Sequence, residues 1–264
     1  MTIDPEEGHN RMGHHGNKQI QPFFANSIAK SGTHLLRPLL EGIPSLNHHT
    51  FIYPGLLHQL EEHRRILSSM PANHFANGHL HYSPQYAELF KKLNMKQIFL
   101  YRDPRDIVVS YAYFFMKFKG HPYERYFTEN NMNIRDRCLA MTTGFNTEYT
   151  HRSNINMFYQ NFLGWMSETN IILVPYESLV HSKESQRNEL RKILRFLEIE
   201  KKPMKIEAIV DRMQANVDPG KSPTFRKGQA GNWQLIFDEE MKKQFKAIAG
   251  DLLIKLGYEK NNDW

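Results

Sequence analysis

The chain has 264 residues, 40% of them hydrophobic and 12% aromatic, with one cysteine and a formal charge of +6 from 34 lysines and arginines against 28 acids. That length suits one large α/β domain or two small ones, and the composition excludes a disordered chain, a disulfide framework and a Cys-rich zinc site. No apolar run approaches the roughly 20 residues that cross a bilayer, and the N-terminal MTIDPEEGHNRMGHHGNK lacks the apolar core of a signal peptide. The lone Cys138 suits a reducing compartment, so a cytoplasmic location is expected. The basic balance favours anionic partners. The cations are interspersed with acids, however, and no basic tail, finger spacing or RNP-like segment occurs, so nucleic acid is not an expected partner.

Residues 1–20 read as a flexible polar tail carrying His9, His14 and His15, and 21–264 as a single domain. The apolar run PFFANSI at 22–28 predicts a first strand, and AKSGTH at 29–34 leads from it into a helix. Helical spacing follows in LLHQLEEHRRIL at 56–67, then HFANGHL at 74–80 reads as a strand and PQYAELFKKL at 84–93 as a helix. QIFLY at 97–101 predicts a strand, PRDIVVSYAYFFMKF at 104–118 a helix and NIILVPY at 170–176 a strand. Helices are predicted again over NELRKILRFL at 188–197 and DEEMKKQFKAIAGDLLIKL at 238–256. Strands alternating with helices predict an α/β fold, a central parallel sheet with helices on both faces. The first, third and fourth strands are nearly continuous apolar runs, as buried parallel strands are. Ligands in such folds sit beyond the carboxyl ends of the strands, which singles out the loops after 28, 80, 101 and 176.

In AKSGTH, Gly32 permits close backbone approach, Ser31 and Thr33 offer hydroxyls and Lys30 a full charge, all at the start of a helix, where anions bind. The alternative is an ordinary strand–helix turn with Thr33 as its N-cap. In LYRDPRDIVVSYAYF, Asp103 is a plausible N-cap, Pro104 suits the first helical position and Asp106 follows three residues after the cap. Ser110, about two turns in, returns to the side of the cap, so Arg102 and Ser110 can converge on one anion. Otherwise Arg102 pairs with a carboxylate and Ser110 with the backbone. PTFRKGQAGNW at 223–233 concentrates Arg226, Lys227 and Gly228, either an anion clamp or a solvated basic turn. In NGHLHYSP, His79 and His81 point to one face of an extended segment. No neighbouring carboxylate or cysteine completes a metal site, so no metal is expected. A histidine there is also a ready general base, with an unperturbed pKa of about 6.5.

Taken in this order, the loops resemble those of the sulfotransferases that use 3′-phosphoadenosine 5′-phosphosulfate (PAPS). AKSGTH with Leu35 resembles the family's PKSGTTW, YRDPRDIVVSY its R-[ND]-P-[KR]-D-x-x-V-S-Y, VPYESL its YEDL stretch, FRKGQAGNW its RKG-x-x-GDW, and GHLHYSP stands where the family has KTHLP. The resemblance covers about 25 to 240. It implies a three-layer P-loop-like fold and transfer of a sulfuryl group from PAPS to a hydroxyl or amine of a small-molecule, lipid or sugar acceptor, releasing adenosine 3′,5′-bisphosphate (PAP). It also implies residue roles. Lys30, Ser31, Gly32, Thr33 and His34 line the phosphosulfate. Arg102 and Ser110, with Arg226, Lys227 and Gly228, hold the 3′-phosphate, and Tyr176 faces the adenine. His79, which matches the GHL spacing, is the catalytic base, with His81 as the other candidate, and Lys30 stabilises charge on the bridging oxygen.

Several positions depart from the family pattern. His34 replaces a threonine, Leu35 a tryptophan, Asn77 a lysine, His81 a proline and Asn232 an aspartate, and the KxxxTVxxxE dimer signature is not recognisable. Two other readings are a PAP- or PAPS-binding pseudoenzyme, and a P-loop nucleotide kinase, which requires GxxxxGK[ST] with lysine after the glycines rather than Lys30 before Gly32. Of the aromatic stretch 111–127, the first half reads as core or pocket, and Tyr123, Tyr126 and Phe127 as acceptor-pocket candidates.

Overall fold

The computed structural model describes residues 19–200, 202–218, 220 and 228–264. Strand β1 (Phe23–Ser27) is buried at every position, and it occupies the middle of a five-stranded sheet ordered β2-β3-β1-β4-β7. The other strands are β2 (Asn47–Ile52), β3 (His74–Gly78), β4 (Lys96–Tyr101) and β7 (Ile171–Pro175), and every pairing among them is parallel. The strand at 47–52 was not among those predicted. It lies at the edge, its NHHTFI sequence is polar, and only Ile52 is buried, so no apolar run announces it.

Alternation along the central strands sends side chains to two separate cores. Phe24, Ala76 and Phe99 enter one, and Phe23, Ala25, Phe75, Ile98 and Leu100 the other. The second core is closed by α1 (Thr33–Glu41), α9 (Lys183–Phe196) and α10 (Pro203–Ala215). The first is closed by α2 (Leu60–Ser68), α3 (Pro84–Lys92), α4 (Pro104–Lys117), α5 (Pro122–Glu129), α6 (Ile134–Thr143), α7 (Ile155–Leu163) and α11 (Glu239–Lys255). Helices thus cover both faces of a parallel sheet, the three-layer arrangement expected.

Helix α4 starts as its caps predict, with Asp103 accepting from the Arg105 N–H and Pro104 in the first turn. Gly120, at φ 80°, ends the chain's run out of α4, and α5 begins after it with His121 as N-cap. A two-residue hairpin, β5 (Phe145–Asn146) with β6 (His151–Arg152), follows α6, and the short helix α8 (Tyr176–Val180) follows β7. Ile20 is buried and exchanges backbone and side-chain hydrogen bonds with Asn73, so it belongs to the packed unit; the rest of the predicted polar tail, 1–18, lies outside the described residues. Among the described residues no helix is long and apolar enough to cross a membrane.

Candidate active site

The loop after β1 turns sharply into α1. The Ser31 N–H bonds to the Ile28 carbonyl at 3.0 Å, and both Lys30 (φ 72°) and Gly32 (φ 103°) adopt left-handed backbone. Only glycine fits at 32, because a Cβ there would lie 2.6 Å from the ring of Tyr176. Gly32 is the N-cap of α1 and supplies no side-chain acceptor, so the first N–H groups are left for an anion. Thr33 does not cap, contrary to the alternative reading of the turn: it is the first helical residue, and its hydroxyl lies 2.7 Å from that of Ser27. Pro38, beyond the first turn, removes the N–H that would meet the His34 carbonyl.

Lys30 stands over the ring of Phe114, its Nζ 3.8 Å from the centroid. Burial and the neighbouring Arg102 lower its pKa to about 8. Arg102 ties the loops together. Its Nη1 donates to the Lys30 carbonyl at 3.3 Å, and its Nη2 to Asp106 at 3.2 Å and to the Gln229 carbonyl at 3.1 Å. Its guanidinium lies 4.2 Å over the ring of Tyr176, and its Nε has no partner. Arg102 does pair with a carboxylate, as one reading held, but a buried N–H is left over. Asp106, almost wholly buried, also accepts from the backbone N–H groups of Gly231 (2.8 Å) and Trp233 (3.0 Å). One carboxylate therefore anchors the segment 228–233 against the start of α4.

His79 follows β3. The side-chain amide of Asn26 both accepts from the Leu80 N–H (2.9 Å) and donates to the Leu80 carbonyl (3.1 Å), extending the sheet ladder one step beyond Gly78. This sets the direction of the flanking histidines. Nδ1 of His79 donates to the Ser27 carbonyl at 2.8 Å, which leaves Nε2 as the acceptor nitrogen. Phe51 and Tyr53 pack edge-on against the ring at 5.3 and 6.1 Å. Burial, with smaller contributions from the charges of His34, Lys30 and His81 and against the Ser27 hydrogen bond, lowers its pKa to about 4. His81 instead packs its ring on Phe162 at 4.9 Å. Asn77 is buried and bonded to His48 at 2.8 Å.

These loops border one cavity of about 840 Å³. Lys30, Gly32, Thr33, His34, His79, Arg102, Ser110, Tyr176 and Gly228 all face it. Ser31 does not: it is fully buried, and its hydroxyl has no partner. His81 is not on the wall either. Arg226 and Lys227 lie outside the described residues. His34 borders the cavity, and burial, then Lys30 and Arg37, hold its imidazole below the usual range. Among the described residues no cluster of three or more acidic, histidine or cysteine side chains forms a metal site.

A family model described as the sulfotransferase domain matches residues 21–257. The chain belongs to the sulfotransferase domain family. Sulfotransferase 1E1 of Rattus norvegicus is 25% identical over 174 residues, 60% of this chain and 54% of that protein. Sulfotransferase 1 family member D1 of Mus musculus is 25% identical over 212 residues, 74% of this chain and 65% of that protein. The chain thus spans between about half and two-thirds of these curated relatives. Mouse sulfotransferase SULT7A1, crystallised with PAP, is similar in fold with a TM-score of 0.64 at 21% identity, covering 90% of this chain and 87% of that one. Retinol dehydratase in complex with androsterone and inactive cofactor PAP gives a TM-score of 0.54 at 17% identity, covering 88% and 80%.

This sulfotransferase domain also uses residues outside its recognisable motifs. Asn26 and Ser27 orient the histidine segment; the signal was present as a polar pair inside the apolar run PFFANSI. Tyr53 and Arg152 line the cavity, and no local pattern marks either. Of the aromatic pocket candidates, Tyr123 lines the cavity, with Tyr111, Phe114 and Phe115 from α4 and Phe118 just beyond its end. Tyr126 and Phe127 are corrected to core positions. Tyr126, partly buried, stacks on Phe145 at 4.3 Å, and Phe127 is fully buried in the core under α5.

Proposed function

We propose that this chain transfers a sulfuryl group from PAPS to a hydroxyl or amine of a small-molecule, lipid or sugar acceptor, with His79 as general base. The observation that carries the reading is the committed tautomer of His79. Its Nδ1 proton is spent on the Ser27 carbonyl, and its ring faces the cavity that Lys30 also faces. Nε2 is then the group that takes the acceptor's proton.

The residues present suit the donor. Two desolvated cations, Lys30 and Arg102, the uncapped start of α1 and the unfilled Arg102 Nε all call for anionic oxygen. In this proposal Lys30, Gly32, Thr33 and His34 surround the phosphosulfate, with Ser31 in the same loop. Arg102, Ser110 and Gly228, joined by Arg226 and Lys227, hold the 3′-phosphate, and Tyr176 lies beside the adenine. When bound, PAPS supplies the sulfuryl group and the leaving phosphate. Lys30 places a fixed positive charge where leaving oxygen charge develops, the kind of contribution that typically dominates catalysis. His79 is unprotonated at neutral pH because of its surroundings, and negative charge arriving beside Lys30 offsets the charge part of that depression, restoring basicity. The reaction is proposed to run in the cytoplasm, in keeping with a chain that has a single cysteine and so forms no internal disulfide.

Incubation with PAPS and an acceptor panel, scored by mass spectrometry for an added sulfuryl group, tests the proposal. Transfer to at least one acceptor and its loss in His79→Ala are expected. Preference for ATP–magnesium over PAP would point to a nucleotide kinase, and PAP binding without transfer to any acceptor to a pseudoenzyme.

A further inference from the structure

Arg152 ends the hairpin that follows α6, far from every sulfotransferase motif in sequence. It is 8% exposed, and it forms a wall of the cavity. Its guanidinium carbon lies 4.7 Å from the ring centroid of Tyr111 on α4 and 4.2 Å from that of Phe158 on α7. Its Nε and Nη2 are buried with no hydrogen-bond partner. The Tyr111 and Tyr123 hydroxyls lie close enough to the guanidinium for its charge and hydrogen bonding to work against the burial that raises their pKa values, yet neither meets Nε or Nη2 in hydrogen-bond geometry. The hairpin is held in place. Gly144, at φ 79°, passes so close that a Cβ would meet the Arg152 carbonyl at 2.5 Å, and the Tyr123 hydroxyl donates to the His151 carbonyl at 2.9 Å.

A buried charge is costly unless paired, and a guanidinium cannot escape by losing its proton. Two aromatic faces offset part of the cost. The unpaired atoms are informative in themselves. Nε and Nη2 form one edge of the guanidinium, the edge that grips a carboxylate with two parallel N–H···O bonds. The carboxylate on the described cavity wall is Asp218, and its neighbour Val217 packs in the core opposite to that of Tyr111 and Phe158. The line from the proposed base to Arg152 is continuous: Tyr53 packs on His79 at 6.1 Å and lies within electrostatic reach of Tyr111 and Tyr123.

We infer that the acceptor carries a carboxylate, received by the Nε–Nη2 edge of Arg152 while its hydroxyl or amine lies at His79. The inference rests on the sulfotransferase reading for the role of His79 but not for the carboxylate site itself. Arg152 on this view selects the acceptor and takes no part in nucleotide binding.

The test titrates para-hydroxyphenyl-acetate, -propionate and -butyrate, each beside its primary amide, into the protein by calorimetry, with and without PAP, and measures the KM of each under PAPS. At least one acid is expected to bind roughly ten- to hundredfold better than its amide, the range of a charged hydrogen bond. Arg152→Met, which keeps the stem between the two rings, is expected to abolish the preference without lowering the melting temperature, since an unpaired buried charge is removed. Arg152→Lys retains charge without the fork and is expected to fall between. PAP affinity is expected to be unchanged in both variants. Equal binding of every acid and its amide by the wild type would overturn the inference, as would a variant that weakens both alike; the wild-type comparison decides even if Arg152→Met fails to fold. Loss of PAP binding with the acid preference kept would sink the donor reading alone.

Discussion

Lys30 makes the proposed donor site sensitive to alkaline pH. Its ammonium is held at about 8 instead of 10.5 by burial and Arg102, a difference equivalent to roughly 3 kcal/mol in favour of the neutral amine. An anion bound beside it reverses that preference, so binding above pH 8 must take up a proton. The affinity for PAP is then expected to weaken as pH rises, by as much as about tenfold per pH unit between pH 8 and 10, and to be flat with respect to this group below pH 8. The effect on folding has the opposite sign. The lowered folded pKa means that the unfolded chain binds more protons between about 8 and 10.5, so the contribution of Lys30 to stability rises across that window as binding falls. Calorimetry in two buffers of different ionisation enthalpy measures the proton uptake directly, expected near one at pH 9 for wild type and near zero for Lys30→Met. A flat wild-type affinity from pH 7 to 10, or an unchanged slope in Lys30→Met, would refute the assignment of Lys30 to the anion.

Four further outcomes follow from the geometry. His79→Ala should lose turnover while its PAP affinity, measured by calorimetry, is kept; His81→Ala should stay active, and the reverse pattern would move the base to His81. With the His79 pKa at about 4, the acid limb of the kcat/KM profile should fall near pH 4 rather than near 6.5, and melting temperature should drop as pH is lowered from 6.5 to 4, where the unfolded chain takes up the proton first. Gly32→Ala should weaken PAP binding and stability by about 1–2 kcal/mol from backbone strain alone; combining it with Tyr176→Ala should recover the contact part but not the strain, read from a double-mutant cycle in urea. Asp106→Ala should cost about 3–5 kcal/mol of stability, because it leaves Arg102 and two N–H groups without their shared acceptor.

Elements with strong local chemistry were legible and the others were not. The helix predicted over 104–118 spans Pro104–Lys117, since proline and aspartate mark its start, and the helix predicted over 238–256 spans Glu239–Lys255. The buried strands declared themselves as apolar runs, whereas the edge strand Asn47–Ile52 has no such run. Helices α5, α6, α7 and α10 escaped, lying among aromatic or polar stretches whose burial depends on distant partners. The site divides in the same way. Lys30, Arg102 and Ser110 could be read from their loops. Asp106 read as part of a helix start, but its carboxylate serves Gly231 and Trp233, some 125 residues onward, and local pattern carries nothing about that. Arg152 was invisible because Tyr111 and Phe158, from two separate helices, create its environment.

The clamp on segment 228–233 has a spectroscopic consequence. Arg105, paired with Asp103 and Glu259, lies between two indoles, 3.8 Å from the ring of Trp233 and 4.5 Å from that of Trp264. The third of the chain's three tryptophans, Trp165, is in the core and donates to the Leu80 carbonyl beside His79. Emission from Trp233 and Trp264 is therefore sensitive to the cation they share at the anchored segment, with Lys246 also 4.9 Å from the Trp264 ring, and emission from Trp165 to the backbone next to the proposed base. A Trp165→Phe protein would watch the first in isolation, so the chain carries native optical probes at the anchored segment and beside the histidine segment.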